Sequence, residues 1–593
     1  KCIRWDLTGL NGMSLRSYRD MNRRSALYSA VIVLLLLVVI VLQILSMIQS
    51  DRLYERLNRI AGISKPQKTE ARVKEGIKNE YPGDDGDWLI WCINSEPSNF
   101  NPITSSDAVA NYVVSGNIFE TLIEYNEDTF EHKPLLAKSF AISEDGLQID
   151  FILRDDITFS DGHPVTADDV IFSYNTIINP GVDALSYANY LQDVDHVVKM
   201  NDRHVRFIMK RVYFRSLSIC GGIPVIPEHI YRFSSPDEFN KRISNPVGSG
   251  PYIFEKWEVG REIIIRKNLD YWGKMPNVDK IIFRVITNDA AAVQALRAGQ
   301  VDFIKQPSPE LFSEMSQNRD FTEKFHCLSY WHPGVGYFWI GWNQDRPFFR
   351  DKRVRQAMTH ILDRENIIKH ILKNPEAMIP TGNFYIHGPQ YDSAIIPWPY
   401  DPERAKQLLD EAGWVDTNGN GIRDKDGVEF RFKYQIVGGT SIHEQMAKLV
   451  KDAAAKVGIE VEIDPYEWSV FINRVYDRKF DAGNLATVGG LAGDPYQTWH
   501  SSQIGNRGSN YVGFNVAEAD KLMEEARVTI DDEKRNKLYH QFHRILHEEQ
   551  PHTFIYTRPG EAFLSKRFEN VKMHLLGINH FEWYVPKENQ RYR

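Results

Sequence analysis

Residues 416–427 read Asp-Thr-Asn-Gly-Asn-Gly-Ile-Arg-Asp-Lys-Asp-Gly, which places oxygen donors at loop positions 1, 3, 5 and 9 (Asp416, Asn418, Asn420, Asp424) and a glycine at position 6. Hard oxygen ligands at that spacing suit calcium. The bidentate glutamate of such a loop is missing, since Gly427 stands at position 12, so the same residues also suit a metal-free, Asx-rich hairpin. No cofactor is expected beyond that structural calcium. His540, His543 and His547 fall at i, i+3 and i+7 on one helix face, a spacing that serves either a metal or amphipathic packing. The run from His547 to His552 is no zinc-protease helix, because the second histidine comes at i+5 and Pro551 breaks the helix between them. No G-x-S-x-G, Walker A or dinucleotide glycine fingerprint occurs, so no catalytic residue is assigned and an enzyme is not expected.

The elements that would carry these residues belong to a large mixed α/β chain. At 593 residues it exceeds one ordinary core, and 42% hydrophobic with 25% charged residues is a globular composition. Net charge is −8, but residues 1–60 carry nine Lys/Arg against four Asp/Glu, about +5, so the remainder carries about −13. An acidic body argues against nucleic acid as a partner. Cys2, Cys92, Cys220 and Cys327 are too scattered for a CxxC motif; Cys92 and Cys327 read as buried thiols in strands, and a disulfide stays open for a body outside the cytoplasm.

The N-terminal region has its own signal. Residues 27–48 are almost wholly apolar, and 22 residues at about 1.5 Å each give roughly 33 Å, enough to span a bilayer. Arg16, Arg19, Arg23 and Arg24 precede the run, which puts residues 1–26 in the cytoplasm and the body outside. No A-x-A-like site follows it, which favours an uncleaved single-pass anchor in the cytoplasmic (inner) membrane over a cleaved signal peptide. Residues 49–85 read as a short helix and stalk. Met13 would make a conventional start.

Residues 134–174 form the densest run of local signals. Glu144-Asp145-Gly146 is a hairpin turn, Gln148 to Leu153 alternates as a half-buried strand, and Thr166 with Asp169 has capping-box spacing before a helix through Val170, Ile171 and Tyr174. This run resembles the family 5 extracellular solute-binding proteins, the peptide/nickel-binding group that feeds ABC importers. Glu96-Pro97-Ser98-Asn99-Phe100-Asn101-Pro102, Gly248-Ser249-Gly250-Pro251-Tyr252, Asn268-Leu269-Asp270-Tyr271-Trp272-Gly273 and residues 348–364 and 400–414 resemble further family segments in the family's order. No lipobox cysteine follows the apolar run, so the lipid anchor common in that family has no attachment point.

The resemblance implies a fold: the type II periplasmic-binding arrangement of two lobes with an extra domain, here preceded by one transmembrane helix. Lobe I would take 86–122, 246–335 and 553–593, the extra domain 123–245 and lobe II 336–552, with hinge segments at 330–336 and 550–556. It also implies partners, namely a peptide or similar-sized solute, an ABC permease/ATPase complex, and the membrane through the N-terminal helix. In peptide-binding relatives the loop equivalent to 489–495 carries an aspartate that pairs with the peptide amine. Here Gly490 or Leu491 occupies that place, so either another carboxylate serves, with Asp494 and Asp107 as candidates that read equally as turn or cap aspartates, or the ligand has no such amine. Apolar surface supplies most affinity in such a cleft, so Trp468, Tyr496 and Trp499 of lobe II and Tyr112 of lobe I are the expected wall, with Ser105, Ser106 and Asn111 as polar contacts. Asn343 resembles a structural strand-ending asparagine. Two other functions remain: a tethered receptor for a signalling partner, and a hydrolase on the same fold.

Overall fold

The computed structural model describes residues 86–592 apart from 106, 243–244, 440, 491–492 and 506–507. The expected cytoplasmic segment (1–26), transmembrane helix (27–48) and stalk (49–85) lie outside the described residues. So do Cys2, Ser106 and Leu491. Among the described residues no helix is long and apolar enough to cross a membrane.

Three sheets organise the body. The first has seven strands in the order Phe325–Tyr330, Gly560–Ser565, Phe303–Lys305, Trp88–Ile93, Lys280–Val285, Glu262–Lys267, Tyr252–Glu258. Its middle strand, Trp88–Ile93, runs parallel to both neighbours and is buried almost throughout, as an unbroken apolar run between parallel strands requires. The second sheet has five strands in the order Glu460–Tyr466, Arg431–Val437, Ala482–Thr487, Tyr337–Trp342, His552–Tyr556. The third is the antiparallel sheet of the extra domain: Ala137–Ile142, Gln148–Leu153, His204–Met209, Val194–Asn201. Gln148–Leu153 alternates between buried and half-buried residues, and its buried face supplies Ile149, Phe151 and Leu153 to the core. Helix Ala167–Ile178 begins with the expected capping box, in which the Asp169 carboxylate accepts from the Thr166 amide at 2.8 Å.

The extra domain is not a separate bead. Ile149, Phe151 and Phe207 share one continuous core with Leu89, Trp91 and Phe283 of the first sheet, so extra domain and first lobe form one body. In that lobe Arg567 ties distant segments: its guanidinium pairs with buried Asp87 and with Asp302 at 2.7 Å, and Asp302 also accepts from the Ile90 amide at 3.0 Å. Cys92, Cys220 and Cys327 are free thiols, the first two buried, and burial pushes the Cys92 thiol up to about 12.

The chain passes from the first sheet to the second at residues 331–336 and returns at 557–559. The return lies later than the sequence reading placed it. Residues 552–556, a run of His, Thr and aromatic or branched residues, form a strand paired with Tyr337–Trp342, so the second lobe extends through Tyr556 and 550–556 is not a free crossing. The two crossings are joined. The Thr557 hydroxyl donates to the Gly336 carbonyl at 2.7 Å, and Thr557 and Met378 exchange backbone hydrogen bonds of 2.8 and 2.9 Å.

Glycine is a steric necessity here. A Cβ on Gly336 would stand 1.5 Å from the Thr487 carbonyl oxygen, and one on Gly489 would stand 2.2 Å from that of Val335. Gly490, one residue on, meets nothing within 4 Å. Gly336→Ala is therefore expected to cost at least about 1–3 kcal/mol through forced backbone displacement. Gly490→Ala is expected to be neutral, and comparison of urea unfolding midpoints for the two variants checks both.

Candidate functional site

Ligands of open α/β sheets bind beyond the carboxyl ends of the strands. In the first lobe the strands Trp88–Ile93, Lys280–Val285 and Phe303–Lys305 end around a cavity of about 230 Å³, lined by Trp91, Asp107, Tyr112, Asp289, Lys305 and Gln306 among others. The loop from Asn94 to Asp107 holds its shape through its own side chains. Glu96 accepts from the Trp257 indole at 3.0 Å and the Gly260 amide at 2.7 Å, and the Asn101 side chain accepts from the amides of Ile103 and Thr104. Asp107 caps helix Ala108–Val114, accepting from the Val109 amide at 2.7 Å, and so sets the helix that presents Tyr112.

Tyr112 stacks on Trp91 with centroids 5.4 Å apart, and the Lys305 ammonium lies 4.3 Å from the Tyr112 ring centroid and 5.8 Å from that of Trp91. Burial lowers the Lys305 pKa to about 8. Two imidazoles near it are held neutral: burial, reinforced by the Lys305 charge, lowers His332 to about 4 and His580 to about 3. The buried Tyr330 hydroxyl, at the end of Phe325–Tyr330, has no hydrogen-bond partner among the described residues.

In the second lobe the parallel strands Arg431–Val437, Glu460–Tyr466 and Ala482–Thr487 carry their carboxyl ends to the segments that follow them. Trp468, first residue of helix Trp468–Tyr476, is 52% exposed there, and Val488 is 82% exposed beside the open Gly490. Gly489, by its contact with Val335, brings this edge directly against the first crossing.

The expected site residues divide into groups. Asp107 and Tyr112 line the first-lobe cavity. Ser105 is buried and accepts from the Asp107 amide at 3.3 Å, while Asn111 is exposed on the same helix outside the cavity lining. Trp499 stands in the second-lobe core, 0% exposed, packed against Phe514 and His552, so it is no cleft wall. Asp494 is buried in an ion pair: its carboxylate accepts from Arg527 Nε at 2.9 Å, from the Tyr213 hydroxyl at 2.7 Å and from the Tyr496 amide at 3.0 Å. Three acceptor positions of this carboxylate are taken and its charge is balanced by Arg527, so it is committed to the protein and poorly placed to serve a ligand amine. Tyr496 lies under the Arg527 guanidinium at 4.3 Å and on His500, within the same joint. Asn343 is buried, donating to the carbonyls of Arg478 and Phe480.

The candidate metal ligands are hydrogen-bonded within the protein. Asp416 accepts from the amides of Gly419 and Gly421, Asn418 and Asn420 accept from amides two residues on, and Asp424 accepts from Thr417, which shapes an Asx-turn hairpin. Of the three helix histidines, His540 meets the Pro389 carbonyl, His543 meets the Thr381 hydroxyl and the Asp392 amide, and His547 meets the Thr381 carbonyl. Lys305, Trp91, His332 and His580 escaped the sequence reading. The one available signal was a lysine closing the short apolar strand Phe303-Ile304-Lys305.

The family profile of the bacterial extracellular solute-binding proteins, family 5 (middle), matches residues 131–509. The chain belongs to this family. Among family 5 proteins it is 31% identical to the oligopeptide-binding protein AppA of Bacillus subtilis over 88% of this chain and 95% of that one. It is 26% identical to heme-binding protein A of Haemophilus influenzae over 86% of this chain and 94% of that one. The solved structure of B. subtilis AppA in complex with a nonapeptide superimposes with a TM-score of 0.72, at 30% identity, covering 85% of this chain and all of that one. The family 5 assignment confirms the resemblance read from residues 134–174 and the mixed α/β solute-binding fold.

Because Asp494 is neutralised by Arg527, Asp494→Asn is expected to leave the affinity ratio between pentaalanine and N-acetyl-pentaalanine unchanged. Calorimetric titration of both peptides into wild type and variant checks this. A variant that loses a preference for the free amine would return Asp494 to the ligand site.

Proposed function

We propose that this chain is the extracytoplasmic solute-binding subunit of an ABC importer, tethered through residues 27–48, and that it binds peptides between its two lobes. The observation that carries the reading is the cavity lined by Trp91 and Tyr112 at the carboxyl ends of the first-lobe strands, whose Lys305 is close enough to His332 of the first crossing to lower its pKa. The peptide is suggested by likeness along nearly the whole chain to an oligopeptide-binding protein and to its nonapeptide complex. Aromatic surface supplies affinity that tolerates varied side chains, while a few polar groups orient the backbone.

Binding works by closure. A solute touching both lobes binds the closed state better than the open one, and that difference moves the equilibrium. Short paired crossings suit such a hinge, because few residues need change conformation. The extra domain, part of the first body, also meets the second lobe: Asp494 and Arg527 of the second lobe engage Tyr213 and Asp193 of the extra domain, and the Phe214 amide donates to the Arg527 carbonyl at 3.0 Å. Opening would break this contact, so it belongs with the closed arrangement.

Native mass spectrometry of the full-length protein mixed with a casein-derived peptide pool is expected to show 1:1 complexes with a subset of peptides, intact after incubation. Absence of any retained peptide would overturn the peptide reading, and accumulation of fragments would replace binding with hydrolysis.

A further inference from the structure

Taking a cation out of water is costly unless an anion or several carbonyls replace the lost hydration. Several buried cations of the protein obey this. Arg567 has Asp87 and Asp302, Arg355 has Glu549 at 2.8 Å, Arg527 has Asp494, and buried Lys267 has Asp279 at 2.7 Å and the Asn277 carbonyl at 3.1 Å. Lys305 departs from this, as does Arg215, whose guanidinium lies 5.1 Å over the Tyr190 ring with its Nε unpartnered among the described residues, but only Lys305 lines the first-lobe cavity. Among the described residues neither a carboxylate nor a carbonyl engages its ammonium, which rests only on the faces of Tyr112 and Trp91.

The acidic groups nearby are otherwise engaged. Asp107 accepts from the Val109 and Ala110 amides, and Asp289 accepts from the Ser308 amide at 3.0 Å. The other titratable neighbours, His332 and His580, are neutral and offer no counter-charge. Tyr330 adds a second unanswered group, a buried hydroxyl with neither donor nor acceptor partner. Aromatic faces hold an ammonium only weakly, less than a desolvated charge requires, and Lys305 lines the cavity. A half-buried ammonium, unpaired among the described residues and lining the cavity, is suited to an anion that arrives with the ligand.

We propose that Lys305 is the carboxylate receptor of the cleft, so that the solute docks on the first-lobe wall through a carboxylate held against the Tyr112 and Trp91 faces. This rests on the peptide reading, and the carboxylate has two sources there: the C-terminus or an acidic side chain. The cation on the first-lobe wall gives the ligand a polarity that the apolar surfaces alone would not.

The test uses the full-length protein and three probes: pentaalanine as the free acid, pentaalanine amide, and Ala-Ala-Glu-Ala-Ala amide. The free acid is expected to bind at least about tenfold more tightly than pentaalanine amide, and Lys305→Met, an apolar replacement of similar length, is expected to abolish that difference. If the free acid alone exceeds pentaalanine amide, the C-terminus is the source; if the glutamyl amide alone exceeds it, an acidic side chain is; if both do, either carboxylate serves. Equal binding of all three probes by the wild type overturns the proposal while leaving the peptide reading intact. If no peptide binds at all, the peptide reading fails, and the rate of Lys305 acetylation by an N-hydroxysuccinimide ester with and without glutarate decides: protection by the dicarboxylate supports the receptor, and an unchanged rate overturns it.

Discussion

The structure depends on a constraint at two short stretches of backbone. The chain leaves the first sheet at 331–336 and returns at 557–559, and the two stretches are bonded to one another through Thr557 and Gly336. The two lobes meet along this seam, where Asn374 and Glu376 of the second also bond Glu561 and Ser329 of the first at 2.6 Å each. The carboxyl ends of the first-lobe strands end at Lys305 and Tyr330 on one side of it. On the other side the loop after Ala482–Thr487 presses its glycine backbone onto Val335. Any side chain at Gly336 or Gly489 would wedge this seam apart. The glycine-rich character of 489–493, which suggests a ligand loop when read alone, is explained in part by packing: Gly489 is required by the crossing, whereas Gly490 faces open space.

A second contact limits how the bodies sit. Asp494, Arg527, Tyr213 and Asp193 form a charged and aromatic joint between extra domain and second lobe, with Phe214 packed against Tyr539 and under Arg535. Such a buried pair adds little net stability relative to apolar packing, but removing one partner strands the other charge. Its role is therefore register: it defines one approach of the extra domain to the second lobe. The Asp494 carboxylate is thereby committed to Arg527 and Tyr213.

Local chemistry made much of the fold legible. The capping box at Thr166 and Asp169 appears as the residues alone require, because its contact is three positions long; the alternation in Gln148–Leu153 and the apolar run at Trp88–Ile93 are visible as local patterns, although their strand partners, His204–Met209 and Lys280–Val285, lie far off in sequence. The site was far less legible. Trp499 has the composition of a cleft wall, yet which face of a short helix it occupies depends on Phe514 and His552, contacts no local pattern encodes. Asp494 looked like a free carboxylate because its partners, Tyr213 and Arg527, are 281 and 33 residues away. Lys305 was overlooked for the converse reason. A lysine at a strand end is ordinarily solvated, and only the three-dimensional approach of Tyr112 and Trp91 removes its water. Charge balance over long sequence separations is the property that sequence patterns carry least well.

Solute binding at the facing strand ends is tested most directly by hydrogen–deuterium exchange of the full-length protein with and without pentaalanine. Protection is predicted at 303–306 and 330–336 in the first lobe and, in the same complex, at 466–468 and 487–490 in the second. Protection confined to one lobe, or located away from the crossings, would contradict an interlobe site.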